Sequence, residues 1–257
     1  MKLKLYPLKI INNDLDILII AMKYFQNILS KNNKAIKYLL SRGIHKSSII
    51  KYRIGYDDGT LARFMTNMGI DKESLLRLSL VNEKGNDYFY KRILLPIEVG
   101  ICKKYEYIYG FIGRSFGKVV DPKYKRSVVS DVYYNSHIIW GEEKIIAITE
   151  GPIDAILVEQ CGIPTVALMG THYNLTLPFI LNKYKKKVLL MFDADDSGRK
   201  VAEKLSHKIK HSKIIEFPEG EDPASFINKY GKKKMQELIG KVSKKVVKKK
   251  VYRYSYS

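Results

Sequence analysis

Three carboxylates lie within four residues at the end of an apolar run. Asp193, Asp195 and Asp196 follow VLLMF in the stretch KKVLLMFDADDSGRK. Another acid, Glu150, directly follows a second apolar run, KIIAIT. Both runs are typical of buried strands, and acids at the ends of parallel strands gather at one edge of a sheet, where α/β proteins bind ligands. The spacing therefore predicts a common acidic edge, at which Glu150, Asp193 and Asp195 converge if the two strands are neighbours.

Convergence of Glu150, Asp193 and Asp195 is electrostatically costly unless a cation lies between them. Two carboxylates about 4 Å apart repel by roughly 4 kcal/mol at an effective dielectric near 20. Hard divalent cations take oxygen ligands, and Mg²⁺ usually takes one or two carboxylates together with water and phosphate oxygens. We therefore expect these three acids to bind a hard divalent metal.

Each of these acids also has a simpler explanation. An Asp or Ser at 195–197 can cap a helix that begins near Gly198, and Glu150 can be a turn residue before Gly-Pro. Asp154, one helical turn after Glu150, is either a fourth acid of the site or a solvent-facing helical residue. These alternatives stay open on the residues alone.

The chain as a whole has the opposite charge. Its 257 residues include 46 Lys and Arg against 26 Asp and Glu, which gives a formal net charge of +20. Such an excess favours a polyanionic partner, usually nucleic acid. A lysine-rich composition can also come from an AT-rich genome, so charge alone does not identify the partner.

Cysteine usage and hydropathy restrict the class of protein further. Cys102 and Cys161 are far apart and have no His at metal-ligand spacing, so neither a disulfide scaffold nor a zinc site is expected. We find no run of roughly 18–20 apolar residues that could cross a bilayer, and no signal-peptide pattern. The expected location is the cytoplasm, without membrane attachment.

The elements that position the acids follow from hydrophobic periodicity. Four apolar strands, KIIAIT (144–149), PTVAL (164–168), KVLLMF (187–192) and KIIEF (213–217), alternate with amphipathic helices. This alternation predicts a parallel sheet that is buried on both faces. Upstream, residues 25–79 have helical spacing, with Asp71 as a helix start, and residues 88–116 are typical of a strand hairpin.

Two longer stretches resemble a Toprim domain, the metal-binding unit of bacterial-type primases, topoisomerases and several nucleases. They are TEGPIDAILVEQCGIPTVALMGT and LLMFDADDSGRKVAEKL. The Toprim signature is an acid-Gly pair after the first strand and Asp-x-Asp after a later one. Glu150-Gly151 and Asp193-Ala194-Asp195 match it.

The flanking motifs resemble, in the same order, those of the DnaG-type primase polymerase core. The resemblance covers roughly residues 25–230. Its motifs are YLLSRGIHKSSIIKYRIGY (38–56), RILLPI (92–97), YGFIGRSF (109–116), PKYKRS (122–127) and FPEGEDPASFI (217–227).

This resemblance implies a mixed α/β N-terminal lobe, a Toprim lobe with a parallel-type sheet flanked by helices, and a short basic helical C-terminal tail. The expected divisions are a leader (1–24), a basic N-terminal lobe (25–143), a Toprim metal-binding domain (144–228) and the tail (229–257). The fold class is therefore α/β with two lobes.

Family roles can be transferred to the matching positions. The resemblance implies that Glu150, Asp193 and Asp195 are catalytic and bind metal, and that Asp154 and Asp222 bring or support additional metal. It further implies a surface that binds nucleotide and DNA phosphates. The residues expected on that surface are Arg42, Arg92, Arg114, Lys123, Lys125 and Arg199.

The implied activity is that of a DNA primase, a DNA-directed RNA polymerase that makes short RNA primers on single-stranded DNA from NTPs. The implied cofactors are two or more Mg²⁺ or Mn²⁺ ions, without zinc. Expected partners are the template and NTPs, with a replicative helicase or a separate zinc-binding protein as further candidates. A bacterial or phage-encoded enzyme fits this reading.

Three positions depart from the family pattern. Arg126 stands where the family usually has Asn, Asn135 where a Lys is frequent, and Ala224 where an Asp is common. The change at Ala224 is expected to weaken one metal position.

Two other functions stay open. The first is a different Toprim enzyme, a nuclease or a topoisomerase-like strand cleaver. The second is a non-catalytic nucleic-acid-binding subunit, against which the intact acid set argues.

Overall fold

The computed structural model describes residues 12–98, 108–117, 122–127, 132–170 and 173–243. These residues form two compact units, one up to Val132 and the other from Tyr133 onward, with the turn Arg42–Ile44 counted in the second. The predicted mixed α/β class with a parallel sheet is confirmed. Much of the predicted leader and tail lies outside the described residues, so the predicted domain limits stay predictions.

The first unit consists of helices followed by an antiparallel sheet of strand order β1-β2-β3-β4. The predicted hairpin is confirmed by the antiparallel pairing of β2 with β3. The elements are α1 (Asn12–Ser30), α2 (Asn33–Ser41), α3 (Lys46–Lys51), β1 (Gly55–Asp57), α4 (Leu61–Asn67), α5 (Lys72–Arg77), β2 (Arg92–Glu98), β3 (Ile108–Ser115) and β4 (Tyr124–Arg126).

Helix α1 supplies much of the core of this unit, and it continues through residue 24 without a break. Its Phe25 is 1% exposed and meets Phe111 of β3 edge to face, with ring centroids 5.4 Å apart. Gly55 lets the helix lie on β1, because a Cβ at this position would be 2.5 Å from the Cβ of Phe25. Asp71 starts α5 as predicted and accepts a hydrogen bond from Ser74 N at 2.7 Å.

Two buried carboxyl groups face each other in this unit. The Asp87 carboxylate accepts the Leu61 and Ala62 N–H groups, both at 2.7 Å, and so caps the N-terminus of α4. Asp57 is 1% exposed and accepts the Gly59 N–H at 2.9 Å. Burial, and after it the charge of Asp87, raise the pKa of the Asp57 carboxyl to about 8. Asp57 is therefore protonated at neutral pH.

This pair predicts a pH-dependent stability of the N-terminal unit. The pKa of Asp57 in the folded state lies above its ordinary value, so the folded state binds more protons than the unfolded state and its stability falls as pH rises from about 4 to about 8. Asp57→Asn keeps a donor towards Asp87 without the charge. We expect the variant to gain on the order of 3 kcal/mol over wild type between pH 5 and pH 9.

Urea unfolding of wild type and Asp57→Asn at both pH values measures this difference. Asp16→Asn is the matched control, because Asp16 is an exposed acid of the same unit and its substitution should leave the pH profile unchanged. Parallel pH profiles for wild type and Asp57→Asn would contradict the assignment of a protonated Asp57.

The second unit contains the predicted alternation of strands and helices, here completed by a long C-terminal helix. A 3₁₀ helix (Ser136–Ile139) precedes the first strand of this unit. The elements are β5 (Ile145–Thr149), α6 (Pro152–Gln160), β6 (Thr165–Ala167), α7 (Thr176–Lys183), β7 (Lys187–Met191), α8 (Asp196–Lys208), β8 (Ser212–Ile214) and α9 (Pro223–Ser243).

All strand pairs of the second sheet are parallel, in the order β6-β5-β7-β8. Pro152 stands at the first turn of α6, where its missing N–H costs nothing, and Gly162 follows the helix with φ 100°. Helix α9 has a kink at Gly231, φ 84°. Among the described residues, no helix is long and apolar enough to cross a membrane.

Candidate active site

The acidic edge is built by two neighbouring strands. Parallel β5 and β7 pair with Thr149 opposite Met191, so Glu150 directly follows one strand and Asp193 comes two residues after the end of its neighbour. The Glu150 carbonyl accepts the Met169 N–H at 2.8 Å, which fixes the backbone just beyond β5. The adjacency that the sequence left as a condition is therefore present in the backbone, and adjacent parallel strands lie about 4.8 Å apart.

Asp195 caps the helix that follows. Its Oδ1 accepts the Gly198 N–H at 2.7 Å, and its backbone is extended at φ −120°, ψ 175°. This is the N-cap geometry that satisfies an otherwise unpaired N–H group. Asp195 therefore caps α8 through one carboxylate oxygen, as the capping alternative predicted. Its role as a metal ligand stays a prediction.

Gly198 fixes the position of Asp193. A Cβ at residue 198 would lie 3.1 Å from Asp193 N and closer still to Asp193 O. Only glycine therefore lets the first turn of α8 pack against the backbone of the acid. Sequence reasoning did not select Gly198, although a glycine within a helix, which costs about 1 kcal/mol, is itself a signal of close backbone approach.

Asp154 is buried at 9% exposure, so the solvent-facing alternative is wrong. Its Oδ1 accepts the Ala224 N–H at 3.1 Å. Burial, followed by the charges of Asp222 and then Asp193, raises the pKa of the Asp154 carboxyl to about 7. Asp222 and Asp193 are therefore each close enough to Asp154 to repel its carboxylate.

Asp222 starts helix α9 through a reciprocal cap with Ser225. Its Oδ1 accepts the Ser225 N–H at 2.5 Å, and the Ser225 hydroxyl accepts the Asp222 N–H at 2.8 Å. The chain between β8 and α9 also returns to the acidic edge, because Ala194 N donates to Glu221 O at 2.9 Å. Asp222 is thus brought to the same edge as Asp193.

The acids share one edge of the sheet, but their side chains are not arranged as a metal site. Within the described ranges, no group of three or more His, Cys, Asp or Glu side chains is arranged to hold a metal ion. Backbone N–H groups occupy one oxygen of Asp154, Asp195 and Asp222. The predicted assignment of metal to Glu150, Asp193 and Asp195 therefore stays a prediction.

Arg114 is held by two tyrosines in the first unit. Its Nε donates to the Tyr38 hydroxyl at 2.8 Å, its Nη1 donates to the Tyr124 hydroxyl, and its guanidinium lies 5.1 Å from the Tyr124 ring centroid. Lys123 is exposed beside the same ring. The two tyrosines lie within motifs singled out above, but a single sequence gives no signal that they orient Arg114.

Arg92 is buried like Arg114, which is 6% exposed, and Lys125 is partly buried. Arg92 is 2% exposed, and its Nη1 donates to Pro122 O at 2.8 Å and to Gly113 O at 3.3 Å. The Lys125 ammonium donates to Tyr88 O at 2.8 Å and lies 3.5 Å from the Tyr88 ring centroid. Partial burial lowers the pKa of Lys125. Both side chains stabilise the sheet in this structure.

Arg199 and Arg42 belong to the second unit. Arg199 is exposed, lies 3.5 Å from the Asp196 carboxylate, and borders a cleft of about 190 Å³ that Asp193 and Glu216 also line. The Arg42 carbonyl accepts the Asn228 side-chain amide at 3.2 Å. The residues predicted to form one basic surface are thus distributed over both units.

A parallel sheet with acids after two adjacent central strands defines a Toprim-type protein, and the comparisons agree. A Toprim-like family model matches residues 147–227, and a model described as the N-terminal domain of the DNA primase catalytic core matches residues 24–146. This chain belongs to the family of DnaG-type DNA primase catalytic cores.

The named relatives and the matching solved structures are DNA primases. A DNA primase of Clostridium acetobutylicum is 30% identical over 241 residues, 85% of this chain and 39% of that protein. A crystal structure of the zinc-binding and RNA polymerase domains of Aquifex aeolicus primase superposes with a TM-score of 0.75 at 26% identity, covering 89% of this chain and 60% of the other.

A DnaG primase catalytic domain solved bound to single-stranded DNA shares the fold, with a TM-score of 0.72 at 24% identity; the match covers 89% of this chain and 80% of the other. The chain spans about two fifths of the length of the curated relatives that it matches.

Proposed function

We propose that this chain is the RNA polymerase core of a DNA primase, which joins ribonucleotides into short primers on a single-stranded DNA template. The observation that carries the proposal is the adjacency of β5 and β7, which delivers Glu150 and Asp193 to one edge of the parallel sheet. The two family models that match in succession support the same activity.

The donor set at this edge fits a hard divalent metal. Its side chains offer carboxylate oxygens, the ligands that Mg²⁺ and Mn²⁺ prefer. The raised pKa of Asp154 comes, after burial, from the charges of Asp222 and Asp193, so negative charge is crowded where a cation would relieve it. Glu150, Asp193 and Asp195 would hold the catalytic ions, and Asp154 and Asp222 would support a further one.

Bound Mg²⁺ or Mn²⁺ would neutralise the charge that develops on the phosphate oxygens during transfer. Primer extension forms a bond between the 3′-oxygen of one nucleotide and the α-phosphorus of the next, and pyrophosphate leaves. Such a reaction depends on positioning and on charge stabilisation more than on covalent help from the protein. Here Gly198 and the α8 cap at Asp195 keep the acids in a fixed relation.

We assign template and nucleotide phosphates to the basic residues. Arg114 is 6% exposed, about as enclosed as Arg92, and its place in the GFIGR motif supports the assignment. The Tyr38 and Tyr124 hydroxyls orient its guanidinium, and an oriented guanidinium suits phosphate through parallel hydrogen bonds. Exposed Lys123 and Arg199 suit phosphates as well. For Arg92 we propose an indirect role, in which it holds the Pro122 loop beside Lys123.

The finer partner and cofactor assignments belong to the same proposal. They are single-stranded DNA and NTPs in the cytoplasm, with two or more metal ions, and a replicative helicase or a separate zinc-binding protein as an accessory factor. The relative solved with single-stranded DNA supports the template assignment.

The test is de novo synthesis on circular single-stranded DNA with labelled NTPs, with Mg²⁺ or Mn²⁺ and with chelator. We expect short RNA products that require both NTPs and metal. Cleavage of the template in place of extension would indicate another Toprim enzyme. DNA binding without either product would favour the non-catalytic subunit and would overturn the proposal.

A further inference from the structure

The two edges of the second sheet carry different side chains. Glu150, Asp193 and Asp222 lie at the carboxyl edge. The opposite edge, where β5, β7 and β8 begin, carries lysines. Six exposed lysines, here called the lysine patch, lie at strand starts or at the ends of the helices that lead into them: Lys144, Lys183, Lys185, Lys187, Lys208 and Lys210.

Backbone hydrogen bonds hold this edge together. Lys187 N donates to Lys144 O at 2.8 Å, which links the starts of β7 and β5. The Asn182 side chain donates to Lys208 O and accepts from Lys210 N, both at 2.8 Å, and so ties the end of α7 to the end of α8. The lysine patch is therefore one surface and not a set of unrelated side chains.

Within the described parts of the chain, no ion pair neutralises the positive charge of the patch. Among the described residues, no carboxylate lies within ion-pairing distance of any of the six ammonium groups. The exposed acids nearest in sequence are Glu142 and Glu143. By contrast, the buried neighbour Lys186 is satisfied, because its ammonium donates to Gly141 O and Glu143 O at 2.7 Å each.

Helix dipoles explain only part of this arrangement. Lys183 and Lys208 end helices, where the helix dipole favours a cation. The other four precede or begin strands, and a sheet has only a small net dipole. Lys185 adopts φ 51°, a left-handed conformation that is unfavourable for a lysine.

Aromatic side chains lie among these lysines. Tyr184, between Lys183 and Lys185, is 46% exposed, and the Lys208 ammonium lies 5.5 Å from the Tyr173 ring centroid. Exposed aromatic rings among cations are typical of surfaces that bind nucleic acid, because bases stack on the rings while the ammonium groups take the phosphates.

We propose that the lysine patch is a nucleic-acid-binding surface that contacts the phosphate backbone at the edge of the sheet opposite the acidic residues. Three adjacent strand starts at about 4.8 Å spacing extend across about 10 Å, which matches about three steps of roughly 3.4 Å between successive phosphates of one duplex strand. This surface is distinct from the residues assigned to template and nucleotide under the proposed function.

The test compares two triple variants that lose the same charge. K185Q/K187Q/K210Q changes the patch, and K200Q/K204Q/K233Q changes exposed lysines of the same unit outside it. Fluorescence anisotropy with a labelled single-stranded DNA of about 30 nucleotides, over a range of salt concentrations, gives the affinity and its salt dependence. Duplex DNA and an RNA–DNA hybrid in parallel arms distinguish the form of nucleic acid that is bound.

We expect the patch triple to lose about tenfold or more in affinity at 0.1 M salt, and its slope of log K against log salt to decrease by about 2, as for about three lost phosphate contacts. The control triple should lose less than threefold. Equal losses in both triples would overturn the proposal. Because binding needs no catalysis, the result stands whether or not the protein makes primers.

Discussion

Primer synthesis by Asp193→Asn should be about a thousandfold or more slower than that of wild type. The substitution keeps the shape of the side chain but removes the charge that follows β7 at the acidic edge. An anionic metal ligand is worth several kcal/mol of transition-state stabilisation, and about 4 kcal/mol corresponds to about a thousandfold in rate. The measurement is the initial rate of NTP incorporation on single-stranded DNA at saturating metal.

Asp196→Asn is the matched control for this experiment. Asp196 lies three residues further along, has an 89% exposed side chain, and makes a surface ion pair with Arg199. Such pairs contribute little, so the control should keep nearly full activity while its net charge changes by the same amount. Both variants should bind DNA as tightly as wild type. If Asp193→Asn retained more than about a tenth of the wild-type rate, the metal assignment would be wrong.

Gly198→Ala should have the second largest effect. Its new methyl group would lie too close to the N and O atoms of Asp193, which are backbone atoms and cannot move aside by a rotamer change. Either α8 or the acidic segment must shift, and forced insertions of this kind cost about 1–3 kcal/mol in stability. A displacement of about 1 Å in a catalytic group can cost a hundredfold in rate. We therefore expect both a lower melting temperature and about hundredfold slower synthesis.

Gly240→Ala provides the comparison for Gly198→Ala. A Cβ at residue 240, in α9, would meet no heavy atom of the described residues within 4 Å apart from its own helical turn, and alanine is the better helix former by up to about 1 kcal/mol. This control should be as active as wild type and at least as stable. Activity is assayed well below both melting temperatures, so that a rate loss in Gly198→Ala reports the site and not unfolding. Full activity in Gly198→Ala would show that the position of Asp193 is not critical.

Secondary structure in the second unit could be predicted because it is determined locally. Continuous apolar strands such as KIIAIT and KVLLMF can be buried on both faces only when helices cover the sheet, and the intervening amphipathic segments supply that cover. The acids after these strands also had to lie at one edge, since parallel strands end on the same side. A local signal, a capping residue before a helical segment, likewise identified Asp71 as a helix start.

Long-range contacts could not be predicted in the same way. Arg92 was expected on a basic surface, yet backbone carbonyls from two other segments surround it inside the sheet. The sequence did not decide whether Asp154 is buried, because Ala224, whose N–H donates to it, is 70 positions away in the chain. The pairing of Asp57 with Asp87 gave no local signal either, although it raises a pKa by burial and repulsion.

The sequence by itself determined the kinds of element, the edge at which the acids gather and the family to which the chain belongs, because periodicity and motif order are properties of neighbouring residues. Only the tertiary structure decided that β5 lies beside β7, that Gly198 packs against Asp193, and that lysines from separate segments form one patch. Strand order and packing depend on which distant segments bury each other's apolar surface, and that information is not contained in any local window of the chain.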